Sequence, residues 1–129
     1  MLARECPFCA LAAERIVRQG DLCLAFRDGY PVSPGHTLVI PKRHVASFFQ
    51  VTWKEREELL ALLDWCRSDL AERHRPDGFN VGVNDGVAAG QTVMHLHIHL
   101  IPRYAGDKAD PRGGVRWLFP DKADYWSHR

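Results

Sequence analysis

The chain lacks a long apolar run. No stretch approaches the roughly 20 apolar residues of a membrane-spanning helix, and the N-terminus carries no apolar signal core, so no span and no leader are expected. The expected location is the cytoplasm. It also lacks an excess of one charge: 17 Lys and Arg stand against 16 Asp and Glu. That balance leaves no basic field for nucleic acid and no lysine-rich strip for a membrane surface, so neither is expected as a partner. Repeats, low-complexity tracts and linkers are missing too. The 129 residues are expected to form a single domain, 1–129, long enough to bury a core. The four cysteines fit a reducing compartment if they are thiols or metal ligands.

Against that plain background one stretch stands out, Met-His-Leu-His-Ile-His-Leu-Ile-Pro-Arg at 94–103. His95, His97 and His99 alternate with Leu96, Ile98 and Leu100, the period of a strand with one polar and one apolar face. Three imidazoles then share a face, the three aliphatics enter a core, and Pro102, which has no N–H, ends the ladder. Three surface histidines would be the bland reading, but chance rarely spaces three so strictly. Two chemical readings follow: a metal held by histidines two apart, or phosphorus chemistry with one imidazole as nucleophile and another as donor.

The other elements follow in order. Cys6-Pro7-Phe8-Cys9 sets two sulfurs close enough to hold one metal or to form a redox disulfide. The five residues before it are too few for the covered strand that precedes a redox C-x-x-C, which favours the metal. A short helix is expected near 8–13. Residues 14–18 and 22–26 read as a hairpin, with Leu22, Leu24 and Phe26 on one face and Cys23 and Ala25 on the other. Asp28 follows at a turn, and 36–40 reads as a strand before Pro41. His44 stands near a C-x-x-C that lacks two partners. Thr52-Trp53-Lys54-Glu55 is a capping box that opens the one long helix. Leu59, Leu62, Leu63, Cys66 and Leu70 form its buried stripe; Leu60 and Trp65 widen it enough to pack on a second subunit. Pro76-Asp77-Gly78 ends it, and 79–83 alternates as a strand. The turn 84–92, with two glycines, lets backbone N–H groups approach an anion just before the histidines. Gln91 and Thr92 add an amide and a hydroxyl. The tail, about 104–129, holds Trp117, Phe119, Tyr125 and Trp126, too aromatic for a solvated end, so it should dock on the body or on a partner.

The run His95-Leu96-His97-Ile98-His99-Leu100-Ile101 resembles the H-φ-H-φ-H-φ-φ motif of the histidine triad (HIT) superfamily at every position. Residues 26–28, 36–44 and 84–92 resemble the matching segments of Hint-type members. Gly113-Gly114-Val115-Arg116-Trp117 looks like the tail of bacterial members called diadenosine polyphosphate hydrolases. The resemblance implies an α+β fold: an antiparallel sheet of about five strands, one long helix and a short N-terminal helix, in a two-fold dimer. It implies a nucleotide substrate attacked at its α-phosphate. His97 would be the nucleophile, His99 and Thr92 would steady the phosphoryl group, and Asn84, Gly90, Gln91 and Thr92 would hold the phosphate side. Asp28 would hold the ribose, with Phe8, Leu11 and Phe26 flanking the base. Members with an N-terminal C-x-x-C resemble galactose-1-phosphate uridylyltransferases in carrying zinc. By that pattern Cys6, Cys9, His44 and His95 are the ligands, and four protein ligands make the ion structural.

The groups support a concrete mechanism. A neutral imidazole is a good nucleophile near pH 7. One nitrogen of His97 would attack phosphorus while its other N–H bonds a backbone carbonyl, and water would then free a nucleoside monophosphate. The leading expectation is a hydrolase or transferase acting on dinucleoside polyphosphates or nucleoside phosphoramidates through a nucleotidyl-histidine. The alternatives are a nucleotide-sensing module with weak hydrolysis and a glutaredoxin-like protein using Cys6 and Cys9. A DNA-end-processing enzyme of the aprataxin type lacks its zinc finger and basic stripe here.

Overall fold

The computed structural model describes residues 3–128. Five strands, β1 (Ile16–Gln19), β2 (Cys23–Arg27), β3 (Thr37–Pro41), β4 (Gly78–Gly82) and β5 (Ile98–Arg103), form one sheet. Their order is β1-β2-β3-β5-β4, and every neighbouring pair is antiparallel. A single long helix, α1 (Trp53–His74), crosses one face. It is the one α-helix among the described residues, and no described helix is long and apolar enough to cross a membrane.

Period-two patterning gives the sheet two unlike faces. Cys23, Ala25, Val39, Leu96, Ile98 and Leu100 meet Leu59, Leu62, Cys66 and Leu70 of α1. Each leucine fully buried there is worth about 1.5–3 kcal/mol over an exposed one. On the opposite face Leu24, Phe26, Leu38 and Ile40 lie beneath Phe8, Leu11 and Ile16. The expected stripe on α1 is present, while Leu60 is 56% exposed. The capping box forms as read: Thr52 Oγ1 accepts from the Glu55 amide at 3.1 Å, and the Glu55 carboxylate accepts from the Thr52 amide at 2.8 Å. The helix stops at Arg75, which adopts the left-handed conformation (φ 50°) just before Pro76.

Three expectations need correction. No helix forms over 8–13; a turn closes there, with the Ala10 amide on the Cys6 carbonyl at 3.3 Å, followed by a 3-10 turn at Ala13–Arg15. The turn keeps Phe8 and Leu11 on the sheet rather than spreading them around a helix. Next, residues 94–97 precede β5 rather than belonging to it: the Leu96 amide bonds the Val45 carbonyl at 2.7 Å, outside the ladder. Pro102 does not end the strand, because β3 pairs with β5 only through Leu100 and no ladder remains on that side to break. The tail meets the body near its start, where the Tyr104 hydroxyl donates to the Pro34 carbonyl and the Ala105 amide to Asp77, both at 2.7 Å, and its later rings pack within the segment. The Trp117 indole donates to the Arg112 carbonyl at 2.7 Å, and Arg112 and Arg116 lie over Trp126 and Tyr125. Leu118 and Phe119 stay 76% and 72% exposed.

Candidate active site

Three chain segments converge on the open side of the sheet: the N-terminal turn, the 28–44 stretch and the residues leading into β5. The turn carries Cys6 and Cys9, and the segment after β3 brings His44. The His95 Nδ1 lies 3.5 Å from both the Cys6 and Cys9 sulfurs, and the His44 Nδ1 lies 3.3 Å from Cys9. All four donor atoms fall within 4.8 Å of one another. Zinc bonds of about 2.3 Å to sulfur and about 2.0–2.1 Å to nitrogen put S and N about 3.5 Å apart in a tetrahedron. The cluster therefore has the edges and the donor set of a closed tetrahedral site. His95 is prepared for it: its Nε2–H donates to the Pro41 carbonyl at 2.8 Å, which frees Nδ1 as the ligating lone pair. Burial lowers its pKa, keeping the ring neutral.

The geometry favours the metal reading of Cys6 and Cys9 over the redox one, since two imidazoles complete the donor set. All four cysteines are free. Burial and the hydrogen bond to Cys6 push the Cys9 thiol up, and both sulfurs lie against the His95 ring.

The middle ring is held differently. The His97 Nδ1–H donates to the backbone carbonyl of His95 at 2.8 Å, so Nε2 carries the free lone pair. Its ring centroid stands 5.1 Å from that of His99 and 5.2 Å from that of Phe8. His97 is absent from the four-donor cluster.

His99 is set by a residue that sequence reasoning passed over as a strand position, His36. The Val32 amide donates to the His36 Nδ1 at 3.2 Å, so the His36 Nε2 carries the proton. That nitrogen lies 2.9 Å from the His99 Nδ1 and 3.4 Å from the Asp28 Oδ2. The His99 Nδ1 therefore accepts, and its Nε2–H is left as a donor. Burial, reinforced by the His97 and His36 rings, drives the His99 pKa down to about 4, and burial also lowers that of His36. Both rings are neutral near pH 7. Just before His36, a left-handed Gly35 (φ 89°) lets the turn pack against α1, because a Cβ there would sit 2.7 Å from Leu70. A lone histidine at a strand start carries no sequence signal; its partner across the turn, Asp28, was the only hint.

The remaining sequence-selected residues divide. Phe26 is buried under Phe8, their centroids 5.3 Å apart, with Leu11 packed nearby, so the three form an apolar wall beside His97. The Asp28 Oδ1 caps the Tyr30 amide at 2.8 Å. Gln91 is spent on the loop: its Nε2 donates to the Ala46 and Val93 carbonyls and its Oε1 accepts from the Gly86 amide. It shapes the turn and has no amide proton left to give a ligand. Gly90 takes a left-handed φ of 91°, and Thr92 is exposed beside it. Asn84 lines a cavity of about 640 Å³ that also reaches His99 and His36.

Known proteins share the family sequence and the fold. Residues 11–106 match the HIT domain family model. A HIT-like protein of Mycoplasma genitalium is 36% identical over 108 residues, covering 81% of this chain and 77% of its own. An AP-4-A phosphorylase of Mycobacterium tuberculosis is 40% identical over 93 residues, 71% of this chain but only 48% of its own length. The crystal structure of a Zn-bound histidine triad family protein from Mycobacterium smegmatis superposes with a TM-score of 0.75 at 33% identity, covering 84% of this chain and 82% of that one. The five-stranded sheet that carries these imidazoles, one turned to the two cysteine sulfurs, is a shared scaffold: the chain belongs to the HIT domain family.

Proposed function

We propose that the protein cleaves nucleotide conjugates at the α-phosphate through a nucleotidyl-histidine on His97, releasing a nucleoside monophosphate. One observation carries the reading: the His95 carbonyl holds the His97 Nδ1–H at 2.8 Å, leaving an unprotonated Nε2 beside a neutral donor, His99. In the first step the Nε2–P bond forms as the bond to the leaving group breaks, and the leaving group takes the electron pair. In the second, a water oxygen attacks phosphorus, the P–N bond returns its pair to His97, and the water gives up a proton. His99 Nε2–H, the Thr92 hydroxyl and the amides of the Gly90 turn steady the phosphoryl charge; such a donor is worth about 10²–10³ in rate. Asn84 and the turn braced by Gln91 hold the phosphate, Asp28 the ribose, and Phe8, Leu11 and Phe26 the base. Family membership and the relative named AP-4-A phosphorylase support nucleotide processing.

Zinc is the ion proposed for Cys6, Cys9, His44 and His95, supported by the donor distances and by the Zn-bound neighbour. When bound it supplies structure only, since four protein ligands leave no open position. A homodimer also belongs to the proposal. β4 is a sheet edge with one strand neighbour, and Trp53 and Leu60 stay exposed on α1. Light scattering of the purified protein reads it.

The test of the reaction is His97→Ala. Turnover of dinucleoside polyphosphates and phosphoramidates falls on the order of 10⁴-fold or more, with monophosphate affinity little changed. A mutant retaining wild-type rates would remove His97 from the mechanism.

A further inference from the structure

The N-terminal turn serves two neighbours at once. Its ends, Cys6 and Cys9, face His44 and His95. Its middle faces the reactive ring: the Phe8 centroid stands 5.3 Å from that of Phe26, 5.9 Å from that of His95 and 5.2 Å from that of His97. Leu11, two residues past Cys9, packs on the same patch as Phe8. Residues 6–12 belong to no helix or strand. The Ala10 amide bonds the Cys6 carbonyl at 3.3 Å, longer than the usual range of about 2.7–3.2 Å. A terminal segment this irregular holds its conformation only where it is tied down. The two sulfurs are the ties, so whatever holds them also seats Phe8.

The sulfurs differ in access. Cys6 is buried, while Cys9 is exposed. A sulfur that ligates a metal is a thiolate, the form that oxidants attack, and exposure decides which thiolate is reached first. Cys23 and Cys66 are closed in the core under α1 and meet neither condition.

We propose that Cys6 and Cys9 form an oxidation-sensitive clasp: a peroxide converts the pair to a disulfide, the ion leaves, and Phe8 loses its place beside His97. The proposal rests on the zinc and His97 readings above and adds a regulation of that site. The step balances. The Cys9 Sγ gives an electron pair to one peroxide oxygen, the O–O bond breaks and hydroxide leaves. The Cys6 Sγ then attacks the Cys9 sulfur; the S–S bond forms, the S–O bond breaks and a second hydroxide leaves. The peroxide gains two electrons and the sulfur pair loses two. His44 and His95 alone are too few to close a structural tetrahedron. The turn is then untied from both imidazoles, and Phe8 with it. His97 keeps its own anchor, the His95 carbonyl at 2.8 Å, so nucleotide binding suffers before the chemistry does. A dithiol and fresh zinc reverse the change.

The purified full chain, loaded with zinc, is titrated with hydrogen peroxide. About one zinc per chain should pass to a chromophoric chelator, the mass of the chain should fall by two hydrogens, and peptide mapping should join Cys6 to Cys9. Adenosine monophosphate, followed by calorimetry, should bind on the order of ten-fold more weakly after oxidation, and dithiothreitol with zinc should restore its affinity. Phe8→Ala, with its zinc content confirming the fold, should start at the weakened affinity and lose little more on oxidation. A disulfide mapped to Cys23 or Cys66, zinc that stays bound through oxidation, or zinc release with unchanged affinity overturns the clasp. Equal weakening in Phe8→Ala and wild type overturns it as well. Failure of the parent readings looks different: wild type that neither carries nor takes up zinc removes the ion, and wild type that binds no monophosphate before any peroxide removes the nucleotide site.

Discussion

The two faces of the sheet carry the same residue types to opposite ends. On the helix side, Cys23 and Cys66 are fully buried in the core, and burial, with Glu58 adding to it at Cys23, pushes their thiols up to about 12 and about 11. They are small fillers, as the apolar stripe and the hairpin alternation predict. On the open side, Cys6 and Cys9 lie against two imidazoles within bonding range of one ion. The histidines repeat the contrast at finer grain. His95, His97 and His99 sit within five residues, yet each has a different partner: the Pro41 carbonyl and two thiols, the His95 carbonyl, and the His36 ring. What separates a filler from a ligand here is whether the fold brings imidazoles to the sulfur: Cys23 meets the Glu55 carbonyl and nearby carboxylates, while Cys6 and Cys9 meet His44 and His95.

Substitutions on each face should separate metal from packing. Cys9→Ser is expected to have the largest effect: zinc content falls from about one per chain towards none and the melting temperature drops. Wild-type protein purified without zinc would end the metal assignment. Leu59→Ala on the other face should cost about 2–5 kcal/mol of stability while zinc content stays at its wild-type level. Loss of zinc in that variant would mean that the two faces are not independent. The smallest effect comes from acid. His36, His95 and His99 have folded pKa values below their ordinary 6.5, so the unfolded chain binds more protons between that value and about 4, where His99 titrates. Their contribution is complete above about pH 6.5 and is lost as pH falls towards 4. Melting temperatures of the metal-free protein should decline across that window; a flat profile would contradict neutral burial of these rings.

Much of this was legible in order of residues. Alternation from His95 to Leu100 puts Leu96, Ile98 and Leu100 in the helix-side core, as found, although only the last part is strand. Thr52 and Glu55 announced the helix because a capping box is purely local. The illegible parts depend on contacts distant in sequence. His36 gains its role from His99, 63 residues away. Gln91 loses its amide to Ala46, 45 residues away. The N-terminal segment has helix-compatible residues, but Phe8 finds Phe26 and the two cysteines find His44 and His95, which holds it as a turn. The tail is as aromatic as it looked; its rings are met by Lys108, Arg112 and Arg116 of the same segment.

A covalent bond to one ring is the step that decides the reaction. Intact-mass measurement of protein quenched during turnover should find one nucleotide monophosphate attached to wild type, mapped to His97 by peptide sequencing, and none on His97→Ala. Adduct on another histidine, or turnover in which quenched protein never carries the nucleotide, contradicts it.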